Sequence, residues 1–166
     1  MTAPDTPPTA VESATFGVAA HEVWAYRLDF ANLPDYNPDV SGVERVSEGA
    51  GVGGTSGSGA RYRFTLTDPR RPDGAQPVEL WTMGVIESEL VTAGMKGGGE
   101  AYEEFVVSPL GPNRCEATLT LWVTIPDGLP DATVAALAES GRQQIRKELD
   151  LMRLVLEERA SSASVH

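Results

Sequence analysis

Few side chains in this sequence can do chemistry, and Glu103 is the first of them. It sits in GEAYEEFVV, followed by PLGPN and then CEATLTLWVTI, two β-rich runs joined by turn residues. Closing that turn so that Val107 opposes Cys115 sets Phe105 against Ala117, Glu103 against Leu119 and Ala101 against Leu121. Directly paired residues of antiparallel strands share a face. Glu103 then shares its face with Phe105, Val107, Cys115, Ala117, Leu119, Leu121 and Val123, while Tyr102, Glu104, Glu116, Thr118, Thr120 and Trp122 point the other way. A carboxylate among apolar side chains favours its protonated form. Such a group can serve as general acid or base in enol or dehydration chemistry. The structural alternative is a surface carboxylate near the sheet's end, or one paired with Lys96 or Arg142.

Tyr62 is the second candidate. In ARYRFTL, pairing across DPRRPDGAQ sets Leu66 against Val78, Phe64 against Leu80 and Tyr62 against Thr82, all inward. A tyrosine hydroxyl there can donate to a substrate carbonyl. Tyr26, Tyr36 and Tyr102 carry the same group, although packing with the hydroxyl at a rim is the commoner use of tyrosine. Arg61 and Arg63 read as outward, with Arg63 beside Trp81 as a cation–π pair. A one-residue register error would bring Arg63 inward.

Other reactive residue types read as structural. His21 starts a short helix with no partner in sequence, and His166 is terminal. Two such histidines without ligand spacing predict no metal site. Cys115 has no histidine base and occupies an inward strand position, the setting of a small buried hydrophobe. Ser56 and Ser58 lie in a glycine loop rather than a nucleophile elbow. GAGVGG at 49–54 matches GxGxxG in letters, but a strand follows it where a dinucleotide site needs a helix N-terminus. No cofactor is expected.

The elements that must position these residues follow from hydrophobic period. Val11–Val18 reads as a first strand, and Ala20, Val23, Trp24 and Leu28 have helical spacing over Ala20–Asp29. Asp29 caps a second short helix carrying Phe30 and Leu33, stopped by Pro34 and Pro38. Val40–Ser47, ARYRFTL, PVELWTMGVIE, LVTAGM and the two runs around PLGPN complete about seven strands, mostly hairpin-linked and so antiparallel. From Pro130 to Arg159 the stripe Val134, Leu137, Gly141, Ile145, Leu149, Met152 and Leu156 predicts one long helix, broadened by Leu151, Leu154 and Val155. Such a helix covers only part of a broad apolar sheet face. Residues 1–10 and 161–166 read as disordered tails around one domain, 11–160.

Composition narrows the function classes. With 166 residues and 41% hydrophobic content the chain can bury a core. A net charge of −11 excludes a nucleic-acid or anionic-membrane partner, for which a basic face is required. A single cysteine excludes an internal disulfide, MTAPDTPPTA lacks signal-peptide features, and no apolar run reaches a membrane span. A cytoplasmic protein is the expectation.

HEVWAYRLDFANLPDYNPDV, His21 to Val40, holds four of the eleven aromatics. FGVAAHEVWAYRLDFANLPDYNPDVSGVE resembles the opening of the START-like, Bet v 1-like superfamily in its bacterial polyketide cyclase/dehydrase and lipid-transport branch. The characteristic turn is matched by Asp29, Leu33, Pro34, Tyr36, Asn37 and Pro38. GVGGTSGSGARYRF resembles the glycine turn and third strand, and PLGPNRCEATLTL the final hairpin. The likeness spans Val11 to Glu158. Ala19-Ala20-His21 replaces the usual proline and acidic start of the first helix, and Asn113-Arg114-Cys115 stands where a Gly-Thr is common.

The resemblance implies an α+β helix-grip fold with a hydrophobic pocket between a seven-stranded antiparallel sheet and the long C-terminal helix. Trp24, Phe30, Tyr36, Phe64, Leu80, Thr82, Phe105, Leu119, Leu121, Ile145 and Leu149 are the expected wall. The first functional reading is a binder of an apolar small molecule, a lipid or aromatic polyketide. The second is a cofactor-independent cyclase or dehydratase using Glu103 and Tyr62. The third is a partner or homodimer module using Trp81 and Trp122 on the outer sheet face.

Overall fold

The computed structural model describes residues 4–47, 59–67, 74–97 and 99–164. The strands are β1 (Ala10–Phe16), β2 (Val40–Ser47), β3 (Arg61–Thr67), β4 (Ala75–Ile86), β5 (Leu90–Lys96), β6 (Glu100–Gly111) and β7 (Arg114–Val123). They form one antiparallel sheet in the order β1-β7-β6-β5-β4-β3-β2. Helices α1 (Ala20–Leu28) and α2 (Leu33–Tyr36) follow β1, and α3 (Asp131–Ala163) closes the chain. This is the expected helix-grip arrangement. GAGVGG and most of the DPRRPDGAQ turn lie outside the described residues.

Both hairpins keep the expected faces but pair two residues differently. In β6–β7, Val107 opposes Ala117, Phe105 opposes Leu119 and Glu103 opposes Leu121. The strands continue through Pro109 and Gly111, so the loop narrows to Pro112 and Asn113. In β3–β4, Phe64 opposes Val78 and Tyr62 opposes Leu80. An offset of two preserves the face of every side chain, because the strand period is two. Between Ser41 and Glu44, β2 shifts register, and Gly42 supplies the positive φ of 63° there.

The short helices follow local chemistry. Glu22 reaches back to the Ala19 backbone N–H, which donates to its carboxylate at 3.1 Å, filling the role of an N-terminal cap. Asp29 accepts from the Ala31 N–H at 3.1 Å and starts a 3₁₀ turn over Phe30–Asn32, as the spacing predicts. Pro34 does not stop a helix. It stands in the first turn of α2, where a missing N–H costs nothing, and Pro38 lies beyond the last residue.

The folded part runs past 11–160 at both ends. Thr9 N–H donates to the Leu121 carbonyl at 2.8 Å, and the Thr9 hydroxyl accepts from Val123 N–H at 2.9 Å. Helix α3 extends to Ala163. It runs along β1, from Gly141 beside Leu121 to Glu157, whose carboxylate accepts from Gly17 N–H at 2.8 Å. Ile145, Leu149, Met152 and Leu156 of its stripe are buried, whereas Leu137 and Leu154 stay 45% and 60% exposed.

On the outer face the tryptophans have partners within the chain. The Trp81 ring lies across Gly94, where a Cβ would stand 2.6 Å from it. With the pairing shifted by two, Arg63 stands opposite Glu79 and Arg61 opposite Trp81, and the exposed Arg61 binds Glu79 at 2.7 Å. Trp122 packs edge-on against Tyr102 at 5.3 Å and donates its indole N–H to the Thr6 carbonyl at 3.0 Å. Both rings remain half-buried.

Candidate functional site

A cavity of about 610 Å³ opens between the sheet and the N-terminal half of α3. Its apolar wall includes Phe30 and Leu33 from the α1–α2 segment, Phe64, Val78, Leu80 and Leu121 from the sheet, and Ile145 from α3. The volume falls within the roughly 300–1,000 Å³ of ordinary small-molecule sites. Asp39, Glu100, Lys147 and several hydroxyl and amide side chains also line it, as do Arg27, Asn37, Glu103, Gln144 and Glu148.

Arg27 organises this group. It is 1% exposed, although it is the longest charged side chain of α1. Its Nη2 forms an ion pair with Glu103 Oε1, and its Nη1 donates to the Tyr36 hydroxyl at 2.7 Å. The guanidinium lies 5.1 Å, 5.2 Å and 5.7 Å from the ring centres of Phe30, Tyr36 and Phe105. A buried guanidinium needs such company, since an unpaired one would retain its full desolvation cost. Burial pulls its pKa down, but Glu103, Tyr36 and Glu148 outweigh that, so it stays charged. Its Nε has no hydrogen-bond partner among the described residues.

Glu148 is the second buried carboxylate, reached from α3. Its Oε1 accepts from Asn37 Nδ2 at 2.8 Å and from Gln144 Nε2 at 3.1 Å. Burial raises its pKa above the ordinary carboxylate value, Arg27 opposes the rise, and Glu103 adds to it. The group holds two carboxylates against one guanidinium. Glu103 is committed to Arg27, and burial makes Glu148 favour its neutral form more than an ordinary carboxyl does. Burial likewise lifts the Tyr36 hydroxyl above its usual range, with Arg27 working against it.

Of the residues expected to form the wall, Phe30, Phe64, Leu80, Leu121 and Ile145 line the cavity, and so does Glu103. Trp24, Phe105 and Leu119 are buried in the core and do not line it. Tyr36 is buried, accepts from Arg27 and does not line the cavity. Leu149 lines a separate pocket between β1 and α3. Thr82 uses its hydroxyl to accept from Ala60 N–H at 3.0 Å. Tyr62 is fully buried against the Phe30 ring, 5.5 Å centre to centre, and does not line the cavity. Glu103 pairs with Arg27, not with Lys96 or Arg142; Arg142 binds Glu139 and Glu12 on the surface.

Arg27 and Glu148 were missed, yet helical spacing marks both. Arg27 follows Val23 by four and Trp24 by three; Glu148 follows Ile145 by three and precedes Met152 by four. A charged residue on a buried stripe is itself a signal. Cys115 is buried and its thiol pKa is raised by burial, which keeps it unreactive. Among the described residues no three His, Cys, Asp or Glu side chains gather as a metal site, and no helix is long and apolar enough to cross a membrane.

The family model for polyketide cyclase/dehydrase and lipid transport matches residues 7–157. The chain belongs to this family. Solved structures agree on the fold at low identity. A START superfamily protein from Mycobacterium smegmatis is 17% identical, covers 89% of this chain and 97% of its own, and gives a TM-score of 0.69. The Zhui aromatase/cyclase from a Streptomyces species is 14% identical over 91% of this chain and 94% of its own, with a TM-score of 0.71. The di-domain aromatase/cyclase BexL is 16% identical over 89% of this chain and 46% of its own, with a TM-score of 0.70. No functionally curated protein matches the sequence.

Proposed function

We propose that this family member binds an apolar small molecule, a lipid or an aromatic polyketide-like compound, in the cavity between the sheet and α3. The observation that carries this reading is the contrast inside the site. Its wall is mostly apolar, and the buried Arg27–Glu103 ion pair and the buried Glu148 interrupt it. Apolar walls supply affinity by burial, and a few placed polar groups fix orientation. Family membership and the aromatase/cyclase neighbours support the ligand class. Native mass spectrometry of the purified protein, followed by a denatured extract, tests it. The expected result is a co-purifying apolar molecule of defined mass. An empty protein whose melting temperature is unmoved by fatty acids and aromatic polyketides would overturn the reading.

A second reading, a cofactor-independent cyclase or dehydratase, is favoured by Glu148. A buried carboxyl with a raised pKa on a cavity wall suits acid–base chemistry. Glu103 enters that reading as the partner holding Arg27, and Tyr62 as packing beneath Phe30. Turnover of an aromatic polyketide that Glu148→Gln abolishes, with the fold retained, would establish it.

A further inference from the structure

Gly141 is the gap in the apolar stripe of α3. Leu137, Ile145, Leu149 and Met152 carry side chains along that stripe, and Gly141, in register between the first two, carries none. Glycine is the least favourable residue for a helix interior after proline. The usual structural reasons for accepting one are missing at this position. The helix is continuous from Asp131 to Ala163, so no helix end falls at 141. Gly141 is not among the glycines with positive φ, so no left-handed turn requires it. Close packing does not require it either. Apart from its own helix backbone, a Cβ at 141 would meet a single atom within 4 Å, Leu121 Cδ2 at 3.4 Å, which is an ordinary contact.

What lies in front of Gly141 is the cavity. Gly141 and Leu121 both line it, and the α3 side of the wall runs from Leu137 to Glu148. At the helical rise per residue that stretch is about 16 Å long. Leu137 at one end is 45% exposed, and Glu148 at the other is buried. A side chain longer than a methyl at 141 would have to lie beside Leu121, inside this space. We propose that Gly141 is a specificity-determining residue: by leaving the wall bare beside Leu121, it lets one long, flat or chain-like apolar body lie along α3. The inference rests on the binding reading above and narrows its ligand class to extended molecules, a linear tricycle or longer, over compact ones.

Two neutral fluorescent probes that differ by one fused ring test it, naphthalene-2-methanol and anthracene-2-methanol. The natural protein is expected to bind both in a fluorescence titration. Gly141→Leu should weaken the anthracene probe on the order of ten-fold, the effect of overfilling a packed site, and leave the naphthalene probe unchanged. Adding Leu121→Ala opens the facing wall and should restore the anthracene probe, which separates steric blocking from general damage to the fold. Ala135→Leu, at an exposed position of α3 that does not line the cavity, should affect neither probe. Gly141→Ala, whose methyl meets only Leu121, should shift the ratio of the two affinities in the same direction by less. Equal loss of both probes, an unchanged ratio in both variants at 141, or no restoration by Leu121→Ala would overturn the role of Gly141 and leave the cavity standing. Binding of neither probe by the natural protein would count against the cavity reading itself.

Discussion

The two halves of α3 do different work, although one apolar stripe runs through both. From Ile145 onward, Leu149, Met152 and Leu156 are buried, and the helix is clamped to β1 by Arg146 on Glu12 at 2.9 Å and Glu157 on Gly17. Before Ile145 no residue of the helix is buried; Leu137 is 45% exposed, and Ser140, Gly141 and Gln144 look into the cavity. One half closes the core and the other roofs a space. The difference teaches that a hydrophobic stripe fixes which face of a helix turns inward, not whether the sheet rises to meet it. At the boundary stands Glu148, a polar residue placed where packing gives way to cavity.

The largest test of that boundary is Arg27→Met, which strands the Glu103 carboxylate in the interior. We expect a loss of about 3–5 kcal/mol in urea unfolding. Adding Glu103→Leu should recover most of it, since removing both partners of a buried pair is far cheaper than removing one. A loss under about 1 kcal/mol for Arg27→Met would mean that the group is solvated and the division of the helix is not real.

The contrast between the halves is sharpened by two matched truncations. Leu149→Ala in the closed half should cost about 3 kcal/mol. Leu137→Ala over the cavity should change stability by less than about 0.5 kcal/mol, and should instead weaken the binding of an apolar ligand. Similar costs at both positions would erase the distinction.

Glu148→Gln examines the boundary by pH. A carboxyl whose folded pKa is raised binds more protons folded than unfolded above the ordinary value of 4.5. Its stabilising contribution is therefore complete below that value and lost as pH rises through the folded pKa. Urea midpoints taken from about pH 5 to about pH 8 should fall more for the natural protein than for Glu148→Gln. Parallel curves would show that Glu148 is not held neutral. The smallest effect is expected from Gly141→Ala, a gain of up to about 1 kcal/mol from helix propensity. The new methyl would stand 3.4 Å from Leu121, an ordinary contact.

Much of this was legible before any coordinates. The order of elements, the inward faces of the two hairpins β3–β4 and β6–β7 and the inward place of Glu103 follow from period and hairpin parity, which survive a pairing error of two. Hairpin register was not legible, because PLGPN offers several turns and only cross-strand packing selects the two-residue loop. Site membership was legible only in part. Trp24, Phe105, Leu119 and Tyr62 are inward like Phe64 and Leu80, and nothing local distinguishes an inward residue that meets a neighbour from one that meets space.

The sequence by itself determined the seven strands, the long amphipathic helix and the family, because those depend on local period and short-range turn chemistry. Only the tertiary structure decided what Glu103 does. Its partner Arg27 is 76 positions away, and Glu148 joins them from a third element. Whether a carboxylate is a free acid or half of an ion pair depends on the charges within a few ångströms, and that distance is set by how the sheet, α1 and α3 close on one another.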